Sequence, residues 1–242
     1  MTGRDVVLED VAFAFRDTDF AFDHQFSAGS VTAVMGPSGS GKTTLLHLVA
    51  GFETPASGRV LIGGEDVSAL PPDNRPVSLV FQENNLFAHL SAEENVGLGL
   101  DPGLRLNAEQ RTRVRESLAR VGLAGKEKRL PGALSGGERG RVALARAALR
   151  DRPVLLLDEP FAALGPALRQ DMLGIVRELA RERELTVLFV THQPEDAQSL
   201  ADHVLFLENG RVAASGEAAM FFGPLGPEPF RRYIGALSAK GL

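Results

Sequence analysis

Residues 36–43 read Gly36-Pro37-Ser38-Gly39-Ser40-Gly41-Lys42-Thr43. This stretch matches the phosphate-loop pattern. Its glycines let backbone N–H groups turn toward phosphate oxygens with no Cβ in the way. The helix that follows presents its N-terminus to the same anion. Lys42 brings positive charge to the β- and γ-phosphates, and the Thr43 hydroxyl is a Mg²⁺ ligand. The nucleotide-binding set is therefore Gly36, Pro37, Ser38, Gly39, Ser40, Gly41, Lys42, Thr43 and Thr44. The competing reading is a Gly-rich turn before a helix, and the flanking sequence decides between them.

Working outward, Val31–Met35 is a short apolar run ending at Gly36, as a buried strand would. Lys42–Ala50 carries Leu45, Leu46, Leu48 and Val49, a helix stopped at Gly51. Upstream, Val6–Phe15 and residues 20–26 partly alternate apolar and polar, with a polar turn at 16–19. Downstream, residues 59–62 and 77–81 read as strands. From 83 to about 152 the character is helical. Ser91 with Glu94 forms a capping box, Asn107 with Gln110 opens a second helix, and Ser135 caps a third running to Leu149. Strand character returns at 154–157 and at Thr186–Val190. Between them Pro166 opens a helix with Leu168, Met172, Ile175, Val176 and Leu179 on one side. His203–Glu208, Asn209-Gly210 and residues 211–214 read as a hairpin. Residues 223–229 precede a small terminal helix. The expected fold is α/β: a core of residues 1–82 and 153–242, with 83–152 inserted as a helical subdomain.

A second acidic site follows. Val154-Leu155-Leu156-Leu157-Asp158-Glu159 is an apolar strand ending in two carboxylates. After a phosphate loop, Asp158 holds Mg²⁺ and Glu159 polarises the attacking water as general base. Gln82 closes the 77–81 strand and His192 follows the Thr186–Val190 strand. Neither is informative alone. As a set they matter, because parallel α/β sheets bind ligands at the carboxyl ends of their strands.

Composition bounds the partners. The chain has 242 residues, 44% apolar and 24% charged, with net charge −5 and no Cys. Its length suits one compact domain with a subdomain. The charge gives no pull toward nucleic acid, which is not expected as a partner. Without Cys there is no disulfide framework or thiolate metal site, which fits a reducing compartment. No uncharged apolar stretch is long enough to span a bilayer, and the N-terminus has no apolar signal core. Service to a membrane would come through a partner, from the cytoplasmic side.

Leu134-Ser135-Gly136-Gly137 precedes the Asp158 strand. This order of motifs resembles the ATP-binding cassette (ABC) family over nearly the whole chain. The resemblance implies a P-loop NTPase (RecA-like) core with an N-terminal antiparallel β subdomain and an inserted α-helical subdomain. It implies that Ser135, Gly136, Gly137 and Glu138 bind the γ-phosphate of ATP held by a second copy, giving an ATP-sandwich homodimer. Phe15 takes the position that stacks on adenine, with Phe13 as the competing candidate. Gln82 senses Mg²⁺ and water. His192 contacts the γ-phosphate and holds the attacking water. Two positions depart from the family pattern: Glu138 replaces the usual Gln, and Gly165 replaces the usual Asp after Phe161-Ala162-Ala163-Leu164.

Residues 72–77 and 81–83 resemble bacterial importer ATPases. Residues 81–90, 97–104 and 166–170 are similar to the branch serving thiamine importers. That implies uptake of thiamine or its phosphate esters. The partners would be membrane permease subunits, with a periplasmic solute-binding protein acting indirectly. The location would be peripheral, on the cytoplasmic face of the bacterial inner membrane. Importers of another small solute, a low-turnover regulatory ABC module and a DNA-linked ABC ATPase are the alternatives. The last is disfavoured by the short insert and the charge.

Overall fold

The computed structural model describes residues 2–239 apart from 17, 84 and 163. Asn84, within the 81–90 segment, and Ala163, named above, therefore lie outside the described residues.

Among the described residues ten strands form one continuous sheet, in the order β5 (Glu65–Asp66), β4 (Ser57–Ile62), β1 (Val6–Phe15), β2 (Thr18–Phe26), β10 (Arg211–Glu217), β9 (His203–Glu208), β3 (Val31–Met35), β8 (Thr186–Val190), β7 (Val154–Asp158) and β6 (Val77–Val80). Its parallel half comprises β6 (Val77–Val80), β7 (Val154–Asp158), β8 (Thr186–Val190), β3 (Val31–Met35) and β9 (His203–Glu208). These strands are short and nearly all apolar because both of their faces are covered. Alternation sorts the side chains. Ala33, Leu155, Leu157, Val187 and Phe189 point to one core cluster; Val34, Leu156, Leu188 and Val190 point to another. The first cluster is covered by α5 (Pro166–Glu182), α6 (Pro194–Leu200), α7 (Ala218–Phe221) and α8 (Glu228–Ala239). The second is filled by α1 (Lys42–Ala50) and the antiparallel strands β1 (Val6–Phe15), β2 (Thr18–Phe26) and β4 (Ser57–Ile62). Strand β10 (Arg211–Glu217) joins the halves: it pairs along β9 and touches β2 at a single register pair, Arg211 with Ala21.

The helical insert carries α2 (Ala92–Gly97), α3 (Ala108–Arg120) and α4 (Gly136–Leu149). All three begin with reciprocal capping boxes, at Ser91/Glu94, Asn107/Gln110 and Ser135/Glu138. Helix α4 is the joint. Val142, Ala145 and Leu149 pack within the insert, whereas Ala143, Leu144 and Ala147 pack against the sheet.

Sequence pattern gave no expectation for α6, α7 or the two-residue strand β5 (Glu65–Asp66), all too short for a periodicity to register. Strand β10 also runs three residues beyond the expected hairpin arm.

Arg75 is the largest fully buried side chain, 1% exposed. Its guanidinium donates to the carbonyls of Leu48 (2.6 Å), Val49 (3.0 Å), Leu70 (2.9 Å) and Ser68 (3.0 Å). Leu48 and Val49 end α1, where carbonyls have no intrahelical partner. Arg75 thus satisfies the C-terminus of the helix whose other end carries the phosphate loop. Arg75→Met should strand these acceptors and cost about 2–3 kcal/mol in denaturant unfolding. An unchanged unfolding midpoint would show that the cap is dispensable.

Candidate functional site

Three adjacent strands, β3, β8 and β7, bring the site together. Val34 pairs with Val190 and Val190 with Asp158 across them, so the residues after each strand emerge side by side. Those residues are Gly36, the pair Thr191-His192, and Glu159.

The loop after β3 bends through three glycines with positive φ: Gly36 (150°), Gly39 (79°) and Gly41 (102°). Two of them are also sterically obligatory. A Cβ at Gly36 would meet the Leu207 carbonyl oxygen at 2.2 Å, and one at Gly41 would meet the Phe20 ring at 2.7 Å. The loop opens on a cavity of about 280 Å³ lined by Ser38, Gly39, Gly41, Lys42, Thr43, Thr44, Glu159, His192 and Phe20.

Lys42 is 5% exposed and folds back to donate from Nζ to the carbonyls of Gly36 (2.9 Å) and Pro37 (2.7 Å). Burial lowers its pKa, while the carboxylates of Glu159 and Asp158 oppose the shift. Asp158 is buried beneath the cavity, and its Oδ1 accepts from Thr43 Oγ1 at 3.3 Å. Burial raises the Asp158 pKa, the Thr43 hydrogen bond opposes, and the charge of Glu159 adds to the rise. Burial thus works against the charged form of both the lysine and the aspartate.

Glu159 stands just past β7 with φ 46°, in the left-handed region that non-glycine residues seldom occupy. Its Oε1 lies 2.9 Å from His192 Nε2. A carboxylate oxygen accepts here from the Nε2–H tautomer of the imidazole.

Phe15 and Gln82 are not brought into this cavity. Phe15 is 51% exposed at the end of β1, with the Arg16 guanidinium 5.3 Å over its ring. Gln82 is exposed in the turn after β6. Phe20, unremarked in the sequence, lines the cavity instead; its strand neighbour across β1 is Phe13, the competing aromatic candidate.

The Ser135 turn lies outside the cavity too. Ser135 is exposed and Gly137 is buried. A Cβ on Gly137 would meet Leu168 of α5 at 1.8 Å. Ser135 Oγ accepts from the Glu138 N–H (3.2 Å), and Glu138 Oε2 accepts from the Ser135 N–H (2.7 Å). Glu138 also pairs with Lys126. Hydrogen bonds from Lys126 and Ser135 hold the Glu138 carboxyl down at about 2. The Glu in place of Gln is therefore answered by a cation that the pattern alone did not reveal.

A carboxyl with a depressed folded pKa stabilises above its unfolded value, and loses that contribution as pH falls toward the folded one. Between about pH 4.5 and 2, Glu138→Gln should blunt the fall in melting temperature. Identical pH–melting curves for the two proteins would refute this.

A polyanion answers the buried lysine and the glycine loop together. Fold and site thus define the class: a phosphate-loop NTPase. Comparison with known proteins narrows it. The ABC transporter family profile matches residues 21–162. "Thiamine import ATP-binding protein ThiQ" of Mesorhizobium japonicum is 64% identical over 240 residues, 99% of this chain and 95% of its own. The protein of that name from Brucella suis is 58% identical, over 96% of this chain and 97% of its own. Among solved structures, the dimeric post-hydrolysis state of the ATP-binding cassette MJ0796, bound to ADP and Pi, gives a TM-score of 0.78. It is 30% identical and covers 88% of this chain and 98% of its own. The ADP conformation of MJ1267, an ATP-binding cassette of an ABC transporter, gives 0.86 at 25% identity, over 96% of this chain and 99% of its own. The chain belongs to the ABC transporter family and is an ATP-binding cassette.

Proposed function

We propose that this chain is the ATP-hydrolysing subunit of a bacterial thiamine importer. The observation that carries the reading is near-full-length identity of 50–64% to proteins named for thiamine import, joined to the site described above. Among the described residues no helix is long and apolar enough to cross a membrane. As the ATPase of an importer, the chain would meet permease subunits as a peripheral partner, with a solute-binding protein acting beyond them.

The residues fit ATP and Mg²⁺. Gly36 and Gly41 make turns that a Cβ would block against the Leu207 carbonyl and the Phe20 ring, and Thr43 and Asp158 place a hydroxyl and a carboxylate together beside the loop. When bound, Mg²⁺ would neutralise phosphate charge and fix the phosphates. The backbone N–H groups of residues 38–44 and the start of α1 bind the phosphates. Lys42 leaves its loop carbonyls to add charge there. Glu159 takes the proton of the attacking water as general base, and His192 holds Glu159 and the transferring phosphate in line. Gln82 links this centre to the insert, and Phe15 offers a ring to adenine. Ser135, Gly136, Gly137 and Glu138 serve a nucleotide held by a second copy. The exposure of Ser135 and the dimeric state of MJ0796 both support that arrangement.

The test is thiamine uptake into vesicles carrying the permease, with Mg-ATP inside and this chain present. Hydrolysis without thiamine-dependent uptake would discard the substrate and keep the ATPase.

Gly165 caps α5 in an extended conformation (φ −68°, ψ 163°) with no side-chain bond and nothing within 4 Å of an added Cβ. Gly165→Asp is therefore tolerated, and changes stability by only a few tenths of a kcal/mol. It should raise the Hill coefficient for ATP hydrolysis; an unchanged coefficient would remove this position from coupling between the two sites.

A further inference from the structure

We propose that Arg169 and Asp196 are positioning residues for hydrolysis: with Thr191 they form a buried frame that holds the turns carrying Glu159 and His192 together. This rests on the reading of Glu159 and His192 as the hydrolytic pair.

The pair sits on two different loops, one after β7 and one after β8. A 2.9 Å bond between them needs both loops fixed to a few tenths of an ångström. Apolar packing does not do this, because a cavity of about 90 Å³ lies between the turns, bordered by Glu159, Arg169 and His192.

Polar bonds span the gap instead. Arg169, in the first turn of α5, donates from Nη2 to the Phe161 carbonyl (3.4 Å), two residues past Glu159. Its Nε lies 3.4 Å from Asp196 Oδ1, an ion pair of two buried atoms rather than a formed hydrogen bond. Asp196 is 1% exposed, and its other oxygen accepts from Thr191 Oγ1 at 2.9 Å. Thr191 Oγ1 in turn accepts from the Gln193 N–H at 3.0 Å. The residues on both sides of His192 are thus clasped, and the clasp is tied through Arg169 to the turn after Glu159.

A buried ion pair seldom adds net stability over apolar residues of the same volume. Its charge here is placed where two catalytic loops must keep register. That is a positional role, since neither Arg169 nor Asp196 lines the phosphate-loop cavity.

The test measures kcat and KM for Mg-ATP with the full chain. Arg169→Met and Thr191→Val should each lower kcat on the order of 10- to 100-fold. KM should stay within about twofold, as expected when ground-state binding is untouched. Thr191→Ser, which restores the hydroxyl, should recover most of the rate. The threonine pair leaves the Arg169–Asp196 ion pair intact, so it decides the matter even if Arg169→Met fails to fold. Parent-like kcat in Thr191→Val, or a Thr191→Ser protein as slow as Thr191→Val, overturns the frame. Glu159→Gln is the control. If it is inactive while Thr191→Val turns over normally, the hydrolytic pair stands and the frame alone falls. If it hydrolyses at the parent rate, both fall.

Discussion

Glu159→Gln is expected to lower ATP turnover by about 10²- to 10⁴-fold, the range that general-base catalysis supplies. The substitution keeps the size of the side chain and an oxygen able to accept from His192 Nε2, now 2.9 Å from the carboxylate. What it removes is the capacity to take a proton. Nucleotide binding should survive, because the cradle and Lys42 belong to another strand end. Glu159 holds φ 46°, a left-handed conformation it shares with loop residues such as Asp151 and Glu184, so the assignment rests on its bond to His192 and not on backbone strain. If two copies share each nucleotide, the variant should accumulate as an ATP-bound dimer in light scattering. Phosphate release within a few-fold of the parent would remove Glu159 from the role of base. A monomer at saturating Mg-ATP would argue against the shared site.

Lys42→Met is expected to weaken ATP binding by at least about 100-fold, the loss of one desolvated charge-assisted contact. Met matches the length of the stem, so packing under the loop is largely kept. In the parent, Nζ is buried and spends its donors on the carbonyls of Gly36 and Pro37. Removing the charge relieves the burial that lowers its pKa, but strands those carbonyls. These changes oppose each other, so the nucleotide-free protein should melt within a few degrees of the parent. The contrast appears on adding ligand. A parent at 100 times its Kd gains about 2.7 kcal/mol, and the variant at the same concentration gains little. Thermal shift with and without Mg-ATP reads both quantities. A full nucleotide-induced shift in Lys42→Met would show that the loop backbone alone holds the phosphates.

Much of this site was legible locally. The phosphate loop and the three capping boxes are patterns closed within a few residues, where side chain and backbone meet with no help from the rest of the chain. The apolar strands were legible too, because burial on both faces leaves an unbroken apolar run. Asp158, Glu159 and His192 could be placed at strand ends on the same grounds.

The linear chain therefore carries the inventory: a glycine loop of the phosphate-binding pattern, acids and a histidine after apolar strands, and helices with defined starts. Tertiary structure alone decided which of these meet. It set β8 between β3 and β7, so that Glu159 and His192 share a hydrogen bond. It buried Arg75 under α1, gave Glu138 its lysine, turned Phe20 rather than Phe15 toward the cavity, and linked Arg169 to Asp196. These partners are separated by many residues. Their pairing follows from how the sheet closes and which side chains must then satisfy one another in a space without water. No local propensity encodes that.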